Sequence, residues 1–141
     1  MNRFAEQLAM QFEGYREKPY YCPAGILTAG YGHAFKPGEE IRSLPLDEAR
    51  KELTSDLSAA ERSAFRLCPV LLMEAEAYQG AIIDFTFNLG GGRLQSSTLR
   101  RRINQRNWSE AKRELRKWVY SGGRKLTGLV LRREAEARLL S

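Results

Sequence analysis

Three residue types capable of glycosidic chemistry fall close together near the start of this chain. They are the carboxyl of Glu13, the thiol of Cys22 and the hydroxyl of Thr28, with eight residues between the first two and five between the last two. Glu13 ends a helical stretch, where the negative end of the helix dipole favours a protonated carboxyl. A carboxylic acid kept protonated near neutrality is what general acid catalysis needs. On position alone, a surface glutamate beside a helix stop is the stronger reading. A turn after Cys22 can fold its thiol back over Thr28, so that both face the carboxyl with room between for a sugar. Each is also open to a plain reading, since free cysteines often pack as small hydrophobes and threonines are common in strands.

The elements that must position these groups follow from periodicity. Asn2 is a helix cap, and Phe4, Leu8 and Phe12 recur at intervals of four, so a helix runs from about Asn2 to Glu13 and closes at Gly14. Tyrosines at 15, 20, 21 and 31, punctuated by Pro19, Pro23, Gly25, Gly30 and Gly32, predict a hairpin turning at Pro23–Gly25. On its returning strand, Ile26, Thr28 and Gly30 share one face. Gly30 and Gly32 permit a sharp turn or a close approach of backbone to substrate. Residues 36–45 read as a loop. Leu46, Ala49, Leu53, Leu57, Ala60, Ala64 and Leu67 then form the stripe of one long amphipathic helix stopped by Pro69. Further helices are expected at about 71–87, 95–105, 108–119 and 127–139, the first holding the most apolar run. Trp108 and Trp118 read as core, and Arg132 and Arg133 as helix-surface arginines.

This gives an α+β, mainly helical, two-lobed architecture: a small lobe over about 13–45, a connecting helix over about 46–68, and a helical lobe over about 69–141 packed with the first helix. A cleft between such lobes is a natural ligand site. The chain has 141 residues, enough for one core, and its composition excludes a disordered tail, a collagen-like rod and a disulfide-dense miniprotein. Cys22 and Cys68 are expected as free thiols, and with a single histidine no structural zinc or other cofactor is expected. No signal peptide or transmembrane segment is read. Charge is divided unevenly. Residues 1–92 carry 9 Lys and Arg against 13 Asp and Glu, whereas residues 93–141 carry 14 against 4. The second half, at +10, calls for an anionic partner or else is a solvated surface.

In its motifs the chain resembles the phage-type lysozymes of glycoside hydrolase family 24, the endolysins. Their signature is Glu, eight residues, Asp or Cys, five residues, Thr, which here is Glu13, Cys22 and Thr28. The words Phe12-Glu13-Gly14, Thr28-Ala29-Gly30-Tyr31-Gly32-His33, Asp84-Phe85-Thr86-Phe87-Asn88-Leu89-Gly90, Ser97-Thr98-Leu99 and Gly128-Leu129-Val130 also match, in order. Cys22 stands where the best-known members carry Asp, and Thr127 where many carry Pro.

The resemblance implies a lysozyme-like fold and hydrolysis of the β-1,4 bond between N-acetylmuramic acid and N-acetylglucosamine. It implies Glu13 as proton donor, with Cys22 and Thr28 as the other catalytic positions. His33, Phe87, Asn88 and Thr98 are then the expected substrate contacts. For His33, a hydrogen-bonded brace tying the hairpin end to the helix of Glu13 is preferred to a direct proton carrier. The expected partner is the peptidoglycan glycan strand, met by a monomer without nucleic acid and without membrane insertion. The protein is expected in the host cytoplasm until a separate membrane lesion opens the way to the wall. Two rival readings stay open: a lytic transglycosylase cutting the same bond, and a basic nucleic-acid-binding protein using Arg100-Arg101-Arg102, Arg106 and Trp108.

Overall fold

The computed structural model describes residues 1–141. Helix α1 spans Arg3–Glu13. The Asn2 carboxamide oxygen accepts from the Ala5 N–H at 3.0 Å, and Gly14 closes the helix at φ +66°. Strands β1 (Arg16–Tyr21), β2 (Leu27–Gly30) and β3 (His33–Ala34) form an antiparallel sheet in that order. The first two make the expected hairpin. The third strand, beyond Gly32, is an addition the sequence reading did not include.

Helix α2, Leu46–Leu67, buries Ala49, Leu53, Leu57, Ala60, Ala64 and Leu67, so the predicted stripe is its core face. Only Leu46, at the first turn, stays exposed. The helix ends before Pro69, as that residue requires. The stretch expected as one helix over 71–87 is instead a 3-10 turn, Pro69–Met73, followed by helix α3, Glu76–Leu89. Gly80 lets α3 cross α1 closely. A Cβ there would lie 2.6 Å from the Phe4 Cβ. Every residue from Gly80 to Thr86 is buried, which puts α3 at the centre of the helical lobe.

The helix expected over 95–105 is α5 (Thr98–Asn104), which starts later because the Ser97 hydroxyl caps it by accepting from the Arg100 N–H, and a short helix, α4 (Gly91–Gln95), occupies the stretch before it. Helix α6, Trp108–Leu115, stops short of 119. A second hairpin follows, β4 (Tyr120–Ser121) with β5 (Arg124–Lys125), turning at Gly122 and Gly123. Two-residue strands lie below the length at which a period shows. Helix α7, Thr127–Leu139, returns against α3 and α1. Trp108 and Trp118 pack against the core, edge-on to Tyr78 and Phe85. No helix is long and apolar enough to cross a membrane.

Candidate active site

Glu13 is the last residue of α1, and its side chain is 20% exposed. Its Oε2 accepts a hydrogen bond from Arg132 NH1 of α7 at 2.5 Å. On the other side it meets the turn between β2 and β3. Gly32 sits there at φ +73°, and a Cβ on it would lie 2.6 Å from the Glu13 Cδ. The carboxyl is thus clamped between a guanidinium and a backbone turn. The dipole argument made from sequence is incomplete, because a cation faces the negative end of α1.

Arg132 is held from behind. Its Nε and NH2 donate to the two carboxylate oxygens of Asp84 on α3, at 2.9 and 2.8 Å. Its guanidinium lies 5.8 Å from the Phe12 ring and 5.9 Å from the Phe87 ring. Burial works against both charges in this pair. It is outweighed by their attraction, so the Asp84 carboxyl is held below its ordinary range and the Arg132 guanidinium above its own. Next to them Arg133 reaches Glu136 at 2.7 and 2.9 Å and donates to the Asn88 carboxamide oxygen at 2.8 Å. Burial first, and then the neighbouring Asp84, push the Glu136 carboxyl well above the usual carboxylate range. The expectation of surface arginines is therefore corrected: Arg132 is 3% exposed and Arg133 is fully buried.

The hairpin carries the thiol and the hydroxyl. Tyr20 of β1 pairs with Thr28 of β2, and the Cys22 N–H donates to the Ile26 carbonyl. In that register Cys22 and Thr28 share a face, since cross-strand partners and their i±2 neighbours point the same way. The Thr28 hydroxyl donates to the Ile26 carbonyl at 2.8 Å, which leaves its oxygen as an acceptor. Burial, then the charge of Glu13, push the Tyr20 hydroxyl up, with Cys22 adding to the effect. Thiol and hydroxyl thus share one face of the β1–β2 ribbon.

An open groove of about 290 Å³ lies between the end of the hairpin, α2 and α3; Glu13, Cys22 and Thr28 do not line it, but Gly32, against which the Glu13 carboxyl packs, does. Gly32, Ala34 and Lys36 line it from the small lobe, and Thr86 and Phe87 from α3. Phe87, one of the expected substrate contacts, is thus part of the groove wall. Asn88 follows it, half-buried and tied to Arg133. Thr98 does not line this groove, and its hydroxyl accepts from Arg101 at the head of α5. His33 is not placed to touch a substrate. Its side chain is 5% exposed, and both ring nitrogens are engaged, Nδ1 with Asp56 and Nε2 with Glu39, each at 2.8 Å. It braces the hairpin against α2 rather than against α1. Hydrogen bonding to Asp56 raises its pKa to about 9 against the opposing effect of burial, with Glu39 assisting. The backbone N–H of Lys36, and His33 after it, hold Glu39 below the usual range although burial works against them. His33, Glu39 and Glu52 bring ligand-type atoms within 4.8 Å of one another.

The phage lysozyme family profile matches residues 10–136, nearly the whole chain. This chain belongs to the phage lysozyme family. As a phage lysozyme it is a peptidoglycan-degrading endolysin, a glycoside hydrolase. Among relatives of this phage lysozyme, a SAR-endolysin of Bacteriophage PS34 is 37% identical over 125 residues, covering 88% of this chain and 73% of that one. An endolysin of Bacillus phage B103 is 34% identical over 134 residues, covering 94% and 50%. The muramidase domain of SpmX from Asticaccaulis excentricus superposes with a TM-score of 0.81 at 27% identity, over 99% of this chain and 95% of that one. The active form of P1 phage endolysin Lyz, at 24% identity, shares the fold with a TM-score of 0.83, over 99% and 84%.

Sequence reasoning about this phage lysozyme missed the Asp84–Arg132 pair as part of the site. A signal for it was present. Asp84 is the only charged residue between Gly80 and Leu89, the most apolar stretch of the chain. A carboxylate in such a run needs a buried cation, and paired arginines on a later helix can supply one.

Proposed function

We propose that Glu13 is the general acid of this endolysin, protonating the glycosidic oxygen between N-acetylmuramic acid and N-acetylglucosamine. The observation that carries this role is the clamp on its carboxyl. Gly32 fixes where it sits, and Arg132 NH1 waits at 2.5 Å to receive the negative charge left when the proton departs. A cation placed there stabilises the carboxylate that forms as the bond breaks, and Asp84 holds that cation still. Gly32, against which this carboxyl packs, also lines the groove with Phe87, so a glycan lying there runs close to the acid.

The second group of the reaction is assigned to the hairpin. The Thr28 oxygen, with its own proton committed to Ile26, accepts from the attacking water and aims it at the sugar. Cys22 is the neighbouring polar group on that face. His33 takes no part in proton transfer and holds the hairpin in place.

The test is loss of turbidity of purified cell walls, with mass spectrometry of the products. Glu13→Gln keeps the fold and abolishes clearing; substantial remaining activity removes Glu13 from the mechanism. Reducing sugar ends support hydrolysis, and 1,6-anhydro ends support the transglycosylase instead. Cys22→Ser and Cys22→Ala, compared at matched concentration, report whether the thiol does more than pack. Full rate in both reduces it to packing.

A further inference from the structure

The arginine run of α5 is unused by the reaction and borders a second concavity. This one measures about 490 Å³ and shares no lining residue with the groove beside Glu13. Gln95, Ser96, Arg100, Arg101, Asn104 and Gln105 line it, together with the Ser97 cap, and no apolar side chain and no carboxylate does. We propose that this concavity is a second binding site on the same substrate, taking the free carboxylates of the peptide arms that the wall glycan carries. This rests on the endolysin reading above.

The two charged residues lining the concavity are both arginines, whose planar forks match carboxylates. Arg100 is fixed before any ligand arrives, because its Nε donates to the Leu67 carbonyl at 2.9 Å and its NH1 to the Gln95 carbonyl at 3.2 Å. Asn104 is anchored on the same Leu67 carbonyl at 3.0 Å, and the Gln105 carboxamide oxygen accepts from Arg102 at 3.1 Å. Donors already ordered lose little entropy on binding. Arg101 spends one contact on Thr98 and is otherwise exposed. A nucleic acid fits less well. Base binding uses aromatic platforms, none lines this concavity, and Trp108 is committed edge-on to Tyr78. On an insoluble polymer bearing many identical carboxylates, a second contact keeps the enzyme near its next cleavage point.

The experiment uses the full chain with Glu13→Gln as a binding background, so that the wall is not consumed. Co-sedimentation is measured with intact sacculi and with sacculi whose carboxylates have been converted to amides. Adding Arg101→Gln is expected to weaken binding to intact sacculi about tenfold, the worth of one charge-assisted contact, and to leave binding to amidated sacculi unchanged. Arg113→Gln, an exposed arginine on α6, removes the same charge elsewhere and should change neither. With Glu13 intact, Arg101→Gln should slow lysis of sacculi and spare turnover of a soluble peptide-free oligosaccharide. Three outcomes overturn the site: no effect of Arg101→Gln, an equal effect of Arg113→Gln, or an equal loss on amidated sacculi. A single-stranded DNA oligonucleotide bound more tightly than sacculi, with Arg101→Gln abolishing it, assigns the concavity to nucleic acid instead. If the parent protein cleaves no glycan at all, the hydrolase reading fails, while sedimentation of the Glu13→Gln protein still judges this site.

Discussion

The carboxyl of Glu13 occupies the space where Gly32 would carry a side chain. The two residues come from different elements, the end of α1 and the β2–β3 turn, and a Cβ on Gly32 would stand 2.6 Å from the Glu13 Cδ. Gly32 also needs φ +73°, a conformation that strains any side chain. Gly32→Ala is therefore expected to cost about 1–2 kcal/mol of stability from the backbone alone. Lysis should fall about 100-fold, because the acid must move by roughly an ångström. Thermal unfolding and wall clearing measured together check this. A variant retaining more than about a tenth of parental lysis would show that the contact does not fix the acid.

The Arg132–Asp84 pair has its cost in breaking, not in forming. Arg132→Met leaves the Asp84 carboxylate buried without the guanidinium that holds it, and Asp84→Asn leaves the buried Arg132 with Glu13 as its one remaining carboxylate. Each single change is expected to destabilise by about 3–5 kcal/mol. The double change buries no unpaired charge at this pair and should lose less than the sum. Urea unfolding of the four proteins decides, and strictly additive losses would argue that the two groups do not hold each other.

The stability lost in Asp56→Asn should depend on pH in a defined direction. His33 has its folded pKa raised to about 9 from an ordinary 6.5, so the pair stabilises fully below pH 6.5. That contribution fades as pH rises and is gone above about 9. Because Asp56 and Glu39 are each 23% exposed, water takes back part of the full linkage energy, and about 2 kcal/mol is expected at pH 6. The parent and Asp56→Asn curves should converge near pH 10. A gap that widens with pH would contradict the assignment.

The two thiols should differ in reactivity. Cys68 is fully buried, and burial pushes its pKa to about 11 in spite of the opposing charge of Arg100. Cys22 is half-buried at the hairpin turn. At pH 8 a thiol-specific reagent should label one cysteine per folded chain, identified as Cys22 by peptide mapping, and both after denaturation. Labelling of Cys68 in the folded protein would mean that the joint between α2 and the 3-10 turn opens readily.

The sequence by itself determined the elements whose patterns are long enough to repeat. The core stripe of α2 from Ala49 to Leu67, the α1 stop at Gly14 and the hairpin at Pro23–Gly25 follow from spacing and turn chemistry acting locally. The Glu13, Cys22 and Thr28 spacing pointed to sugar chemistry through the family resemblance it carries, which was legible because those residues are near neighbours along the chain. Tertiary structure decided whatever depended on pairs far apart in sequence. Arg132 lies 119 residues from Glu13, and only the return of α7 across α3 brings its guanidinium to the acid, with Asp84 holding it. His33 was assigned to the wrong helix because two carboxylates, on α2 and in the loop before it, offered its ring hydrogen bonds that no periodicity announces. Short pieces such as β3, β4 and β5 escaped for a simpler reason: two residues make no pattern, and partners across the sheet define them.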